Sequence, residues 1–121
     1  MSAFGNVSTL DLQRIWEGVH GRVVHGRRIT LGVIELDPDS VVPEHSHDNE
    51  QVGICLSGSL VFRVGEESRE LAAGETWCIP GGVPHEVRVG PEGAVVIDVF
   101  APTRDDWREA QEAEPRPPRW P

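Results

Sequence analysis

"VPEHSHDNEQVGICLSGSL", residues 42–60, carries two kinds of information in one short segment. Its first half sets His45 and His47 one residue apart and follows them with Glu50 and Gln51; its second half is an apolar run punctuated by glycine. Side chains on a strand alternate faces with period two, so the two imidazoles point the same way and Gln51 shares their parity if the strand is unbroken. Two imidazoles and an amide oxygen then converge on one face. A lone His-x-His is a weak signal, equally compatible with surface decoration or a hydrogen-bonded pair, so the surrounding chain decides.

Most of that chain reads as short strands separated by glycine and proline, with expected strands at 20–25, 28–36, 51–56, 59–64, 68–72, 76–79, 85–89 and 94–100. Breaks fall at Gly26, Pro38, Pro43, Gly58, Gly65, Gly74, "PGGVP" (80–84) and "GPEG" (90–93). This spacing predicts a closed or sandwiched all-β architecture rather than a parallel sheet with crossover helices. Helical pieces are expected only at the flanks. "STLDLQRI" (8–15) reads as a short helix or turn, and "TRDDWREAQEAE" (103–114) as a helix with Thr103 and Asp106 in a capping-box arrangement. The final "PRPPRWP" cannot continue a helix and is expected to run extended over the surface or a partner subunit.

The composition narrows the function classes. With 121 residues, one domain spanning 1–121 is expected, with its core at about 20–100 and the helix and Pro-rich tail at 103–121. The net charge of −9 and the absence of any basic cluster longer than Arg27–Arg28 exclude a nucleic-acid footprint. No apolar run is long enough to span a membrane, and "MSAFGNVSTL" does not read as a secretory signal, so a cytoplasmic location is expected. Cys55 and Cys78 each sit in an apolar run and read as buried free thiols. All eleven basic residues are arginine and tyrosine is absent, which excludes Schiff-base lysine chemistry and a tyrosine acid.

A third imidazole for the first stretch is offered by His85, which follows the tight "IPGGVPH" turn and begins an alternating apolar strand. Three neutral histidines and one oxygen suit a single divalent transition metal (nickel, zinc, iron, manganese or cobalt), with positions left open for water or substrate.

Residues 45–58, "HSHDNEQVGICLSG", and 74–85, "GETWCIPGGVPH", together resemble the two motifs of the cupins, in the right order. The resemblance implies a cupin double-stranded β-helix (a jelly-roll barrel), here with a short C-terminal helix, and a metal held by His45, His47, Gln51 and His85. The sequence departs from the pattern in three places. Asp39 stands where glycine is usual, Val89 where asparagine often ends the second motif, and Gln51 where glutamate is common. An amide ligand would leave both units of the metal's charge in place, favouring an anionic substrate. Glu50 is the alternative oxygen ligand, because a bulge at "DN" would invert the strand phase.

The run "AVVIDVFAPTR" (94–104) holds a second constellation. Asp98 lies in an apolar strand, where an unpaired carboxylate is costly to bury; it shares a face with Phe100, and Arg104 follows. One reading is a structural Asp98–Arg104 ion pair. The other is a base or acid beside the metal, an aromatic wall, and a guanidinium that grips a carboxylate. With His-x-His-x-x-x-Gln and His85, this Asp-x-Phe-x-x-x-Arg pattern resembles the KdgF-type cupins of pectin and alginate breakdown. That resemblance implies active-site roles for Asp98, Phe100 and Arg104, and ring opening of a 4,5-unsaturated monouronate to its 4-deoxy-5-keto form. A dioxygenase or lyase of the same fold, or a non-catalytic binding module, are the other readings. His20 and His25 read as bland, Trp16 and Trp77 as core or interface, and Trp107 and Trp120 as packing for a neighbouring subunit in an expected homodimer.

Overall fold

A computed structural model describes residues 2–121. Nine strands account for most of the described residues: β1 (Gln13–Trp16), β2 (Val19–His25), β3 (Thr30–Leu36), β4 (Val41–His45), β5 (Glu50–Val64), β6 (Glu67–Ala72), β7 (Thr76–Ile79), β8 (His85–Ala101) and β9 (Gln111–Glu112). All pairings are antiparallel, in the order β6-β5-β8-β3-β2-β1-β9, with β4 added on β8 and β7 on β5.

The closed barrel expected from the motifs is not formed. The hydrogen-bonded order is open, ending at β6 on one side and β9 on the other. Neither end is built to close: β6 is almost wholly exposed and carries Glu67, Arg69 and Glu70, while β9 is two exposed residues long. Charged and very short edge strands resist further pairing. The sheet is nonetheless strongly coiled, because residues from β2 through β8, among them Val19, Ile34, Val42, Leu60, Leu71, Ile79 and Val96, share one apolar cluster.

The expected C-terminal helix is also absent. Residues 105–109 make a single 3-10 turn, and the chain then pairs with β1 as β9. Asp105 and Asp106 are engaged by Arg108 and Arg104, and Thr103 bonds Asp105 rather than capping the turn. Trp107 is buried on Phe100, with ring centroids 4.8 Å apart, and this packing outweighs the helix propensity of a segment too short to be helical alone. At the other flank, 8–15, expected as a short helix or turn, holds the end of a 3-10 turn at Val7–Thr9, capped by Asn6, and then enters β1.

Gly58 and "GPEG" do not end strands, because β5 and β8 run through them. The β5–β8 register shifts between Cys55 and Ser57 and between Gly58 and Leu60. Gly58 has φ +78°, and a Cβ there would stand 1.9 Å from the Gly93 carbonyl oxygen, so only glycine lets the two strands meet. Asp39, where the motif usually has glycine, takes φ +61°, a conformation that aspartate tolerates better than most residues. Cys55 is buried as expected, whereas Cys78 is exposed on the outer face of β7.

The C-terminal tail crosses its own β2–β3 pair. Glu35 of β3, fully buried, is paired with Arg22, accepts from Arg116 Nη2 at 2.8 Å and from the Arg119 backbone N–H at 3.0 Å, while Arg119 also reaches Asp37.

Candidate metal centre and its cavity

β4 ends at His45, a turn carries His47, and β5 restarts at Glu50, so convergence is achieved by the fold and not by unbroken strand parity. His85 opens β8 directly opposite His45 in the register. One ring nitrogen from each of His45, His47 and His85 lies within 4.8 Å of the others, an arrangement able to hold a metal ion. Glu50 is exposed, whereas Gln51 is buried and its Oε1 stands 3.1 Å from His47 Nε2.

The backbone fixes the tautomer of each ring. His45 Nδ1 meets the Pro43 carbonyl at 2.9 Å, His47 Nδ1 meets Asn49 O at 3.1 Å, and His85 Nδ1 meets Val83 O at 2.9 Å. A carbonyl only accepts, so Nδ1 carries the proton and Nε2 is left with a bare lone pair, the form that binds metals. His85 Nε2 is buried with no hydrogen-bond partner among the described residues. Such an orphaned acceptor, facing two others, fits a cation. Burial pushes His85 down to about 4, and burial with the nearby Arg104 charge lowers His47, so both rings are neutral at neutral pH.

Asp98 lies deeper on β8. Its Oδ1 accepts from Trp77 Nε1 at 2.8 Å and from Gln51 Nε2 at 2.9 Å, leaving Oδ2 unpartnered among the described residues. Burial raises Asp98 to about 6, against the lowering effect of its hydrogen bonds and of Arg104. Burial therefore outweighs the nearby positive charge, and the carboxyl is still mostly ionised at neutral pH.

Arg104 does not pair with Asp98. Its Nε and Nη2 form a two-pronged contact with Asp106, at 3.1 and 2.9 Å, and this pairing lowers Asp106. The guanidinium carbon stands 4.7 Å from the Phe100 ring centroid and 4.3 Å from that of Trp107. Nη1 is left free of partners among the described residues. The Arg104 backbone N–H is anchored on the buried Thr30 hydroxyl at 3.0 Å. Trp16, His45, Gln51, His85, Asp98, Phe100 and Arg104 line one cavity, and His47 packs on Phe100 at its edge.

Trp77, Gly53 and Trp107 were not singled out as functional by sequence reasoning. A glycine inside an otherwise apolar strand was the available signal for Gly53, since it marks close approach of neighbours. The partnership of Trp107 with Arg104 had no local signature.

Cupin domain sequences match residues 32–100 of this chain. The chain belongs to the cupin domain family. Curated sequences similar to this cupin include an uncharacterized Streptomyces coelicolor protein, 27% identical over 86 residues, which cover 71% of this chain and 82% of the relative. Similar solved structures include KdgF from a Halomonas species, with TM-score 0.80, 24% identity and coverage of 88% of this chain and 98% of that one. An RmlC-like cupin from Shewanella frigidimarina aligns with TM-score 0.81 and 23% identity, covering 88% and 96% of the two chains. Oxalate decarboxylase from Bacillus subtilis aligns with TM-score 0.71 and 20% identity, this cupin covering 31% of that chain. At these identities the structural likenesses speak for the fold. Among the described residues no helix is long and apolar enough to cross a membrane.

Proposed function

We propose that this cupin is a metal-dependent enzyme that opens and tautomerises a 4,5-unsaturated monouronate to its 4-deoxy-5-keto form without redox chemistry. The observation that carries the reading is the meeting, in one cavity, of a carboxylate with a free oxygen, a guanidinium with a free edge, and histidines with bare lone pairs. His45, His47, His85 and Gln51 Oε1 would hold one divalent transition metal, which supplies Lewis acidity toward substrate oxygens when bound.

The remaining work belongs to the side chains. Arg104, clamped by Phe100, Trp107 and Asp106, offers its Nη1 edge to the uronate carboxylate, and Phe100 walls the sugar face. Asp98 Oδ2 takes the proton of the anomeric hydroxyl. The C1 carbonyl forms as the bond from C1 to the ring oxygen breaks, and the electron pair passes to that oxygen as a C5 enolate. Return of the proton to C4 leaves the C5 ketone. One proton leaves oxygen and one reaches carbon, so no oxidant or reductant is required.

The test follows the enol-ether absorbance of unsaturated monouronates derived from galacturonate and mannuronate. Metal-loaded protein is expected to accelerate loss of the band, chelator-stripped protein is not, and Asp98→Asn is expected to lose turnover at unchanged metal content. No acceleration with either sugar, in protein containing stoichiometric metal, would overturn the reading in favour of another cupin chemistry. Oxygen consumption in the presence of iron would then point to a dioxygenase.

A further inference from the structure

Gly53 of β5 lies opposite Trp77 on β7 and opposite Asp98 on β8 in the strand register. A Cβ at this position would stand 2.3 Å from Trp77 Nε1 and 2.4 Å from Asp98 Oδ1. The absent side chain is therefore the slot through which the indole and the carboxylate meet across the intervening strand. An indole N–H can only donate, so Oδ1 is held as an acceptor whatever the protonation of Oδ2.

That constraint passes to the next residue. Gln51 meets Oδ1 at 2.9 Å and must present its NH2 there, which turns its carbonyl oxygen toward His47 Nε2. From the other side, the Asn49 carbonyl takes the Nδ1 proton of His47 and leaves Nε2 as a lone pair. Two chains of fixed polarity thus end in two acceptors 3.1 Å apart. Neither can supply a proton to the other, and a cation between them relieves the conflict.

We propose that Trp77 and Asp98, meeting over Gly53, are positioning residues that lock the Gln51 amide with its oxygen toward the three histidines. Asp98 thereby has two oxygens with two tasks, Oδ1 orienting a ligand and Oδ2 facing the cavity. The proposal rests on the reading of Gln51 as a ligand and is independent of the reaction catalysed.

The experiment measures nickel(II) affinity by chelator competition, with no substrate present, for Gln51→Leu, Trp77→Phe, Asp98→Asn, Asp98→Leu and the double variant Gln51→Leu/Trp77→Phe. Trp77→Phe and Asp98→Leu are expected to weaken binding about ten-fold or more, the usual effect of losing a group that orients a ligand. Asp98→Asn keeps an acceptor oxygen and is expected to bind as the parent does. In the Gln51→Leu background, Trp77→Phe is expected to cost nothing further. A loss from Trp77→Phe that persists in that background is general loosening and overturns the lock. Parent-like affinity in both Trp77→Phe and Asp98→Leu, alongside weak binding in Gln51→Leu, overturns the lock alone. Parent-like affinity in Gln51→Leu overturns the ligand reading as well. Should Asp98→Leu fail to fold, the cycle of Gln51→Leu with Trp77→Phe decides the matter.

Discussion

At the scale of single residues, the site is governed by which polar atoms are already engaged. Arg104 shows this most clearly, because Asp106 takes one edge of its guanidinium and two aromatic rings restrict its plane. Lysine has neither the planar fork nor the stacking surface. Arg104→Lys is therefore expected to lower kcat/KM about a hundred-fold on a carboxylate substrate. Asp106 is largely exposed, and its ion pair is worth at most about 1 kcal/mol. Asp106→Ala is accordingly expected to raise KM by no more than about five-fold, with nickel affinity unchanged; steady-state kinetics and chelator competition check both. The clustering of His45, His47 and His85 was legible from the His-x-His spacing and the later histidine, and Asp98 stood out as a carboxylate in an apolar strand. The true partner of Arg104 was not legible: Asp106 and Asp98 are equally plausible from spacing, and only the path of the chain after Pro102 separates them.

At the scale of elements, alternation of polar and apolar residues located β2, β3, β6 and β7 within a residue or two, but not the continuity of β5 and β8. Gly58 and the "GPEG" segment look like strand ends because glycine and proline usually punctuate, yet here they serve bulges between two long strands. Gly58→Ala tests this assignment. The added methyl meets backbone, in a conformation that L-residues disfavour, so a loss of about 1–3 kcal/mol or more is expected in chemical denaturation. A turn at a strand end would absorb the same change more cheaply. The C-terminal helix was misread because propensity favoured it, whereas burial of Trp107 on Phe100 and pairing of β9 with β1 determine the conformation.

At the scale of the whole molecule, the motifs identified the family while overstating closure, since edge pairing depends on strands whose charge and length the motifs do not encode. Glu35 ties the C-terminal tail to the β2–β3 pair. Burial alone raises its pKa, but the Arg119 N–H, Arg116 and the Arg22 charge outweigh burial and hold the carboxyl below its ordinary value of 4.5. A depressed carboxylate contributes stability that is complete above the ordinary value and fades as pH falls through the folded-state value. Glu35→Gln leaves the buried Arg22 without its counter-charge and is expected to cost about 3–5 kcal/mol near neutrality. The gap in thermal midpoint between the parent and Glu35→Gln is expected to narrow below pH 4.5. A gap that does not change with pH would show that Glu35 acts through packing alone.

The same cluster is completed in two stages as the chain is made. Glu35 and Arg22 are 13 positions apart, but Arg116 and Arg119 follow Glu35 by 81 and 84 positions. On a ribosome the β2–β3 pair emerges with one arginine for its carboxylate, long before the other two exist. Arg22 balances the Glu35 charge from the start, but Glu35 Oε1 gains its hydrogen bond only once Arg116 has been made.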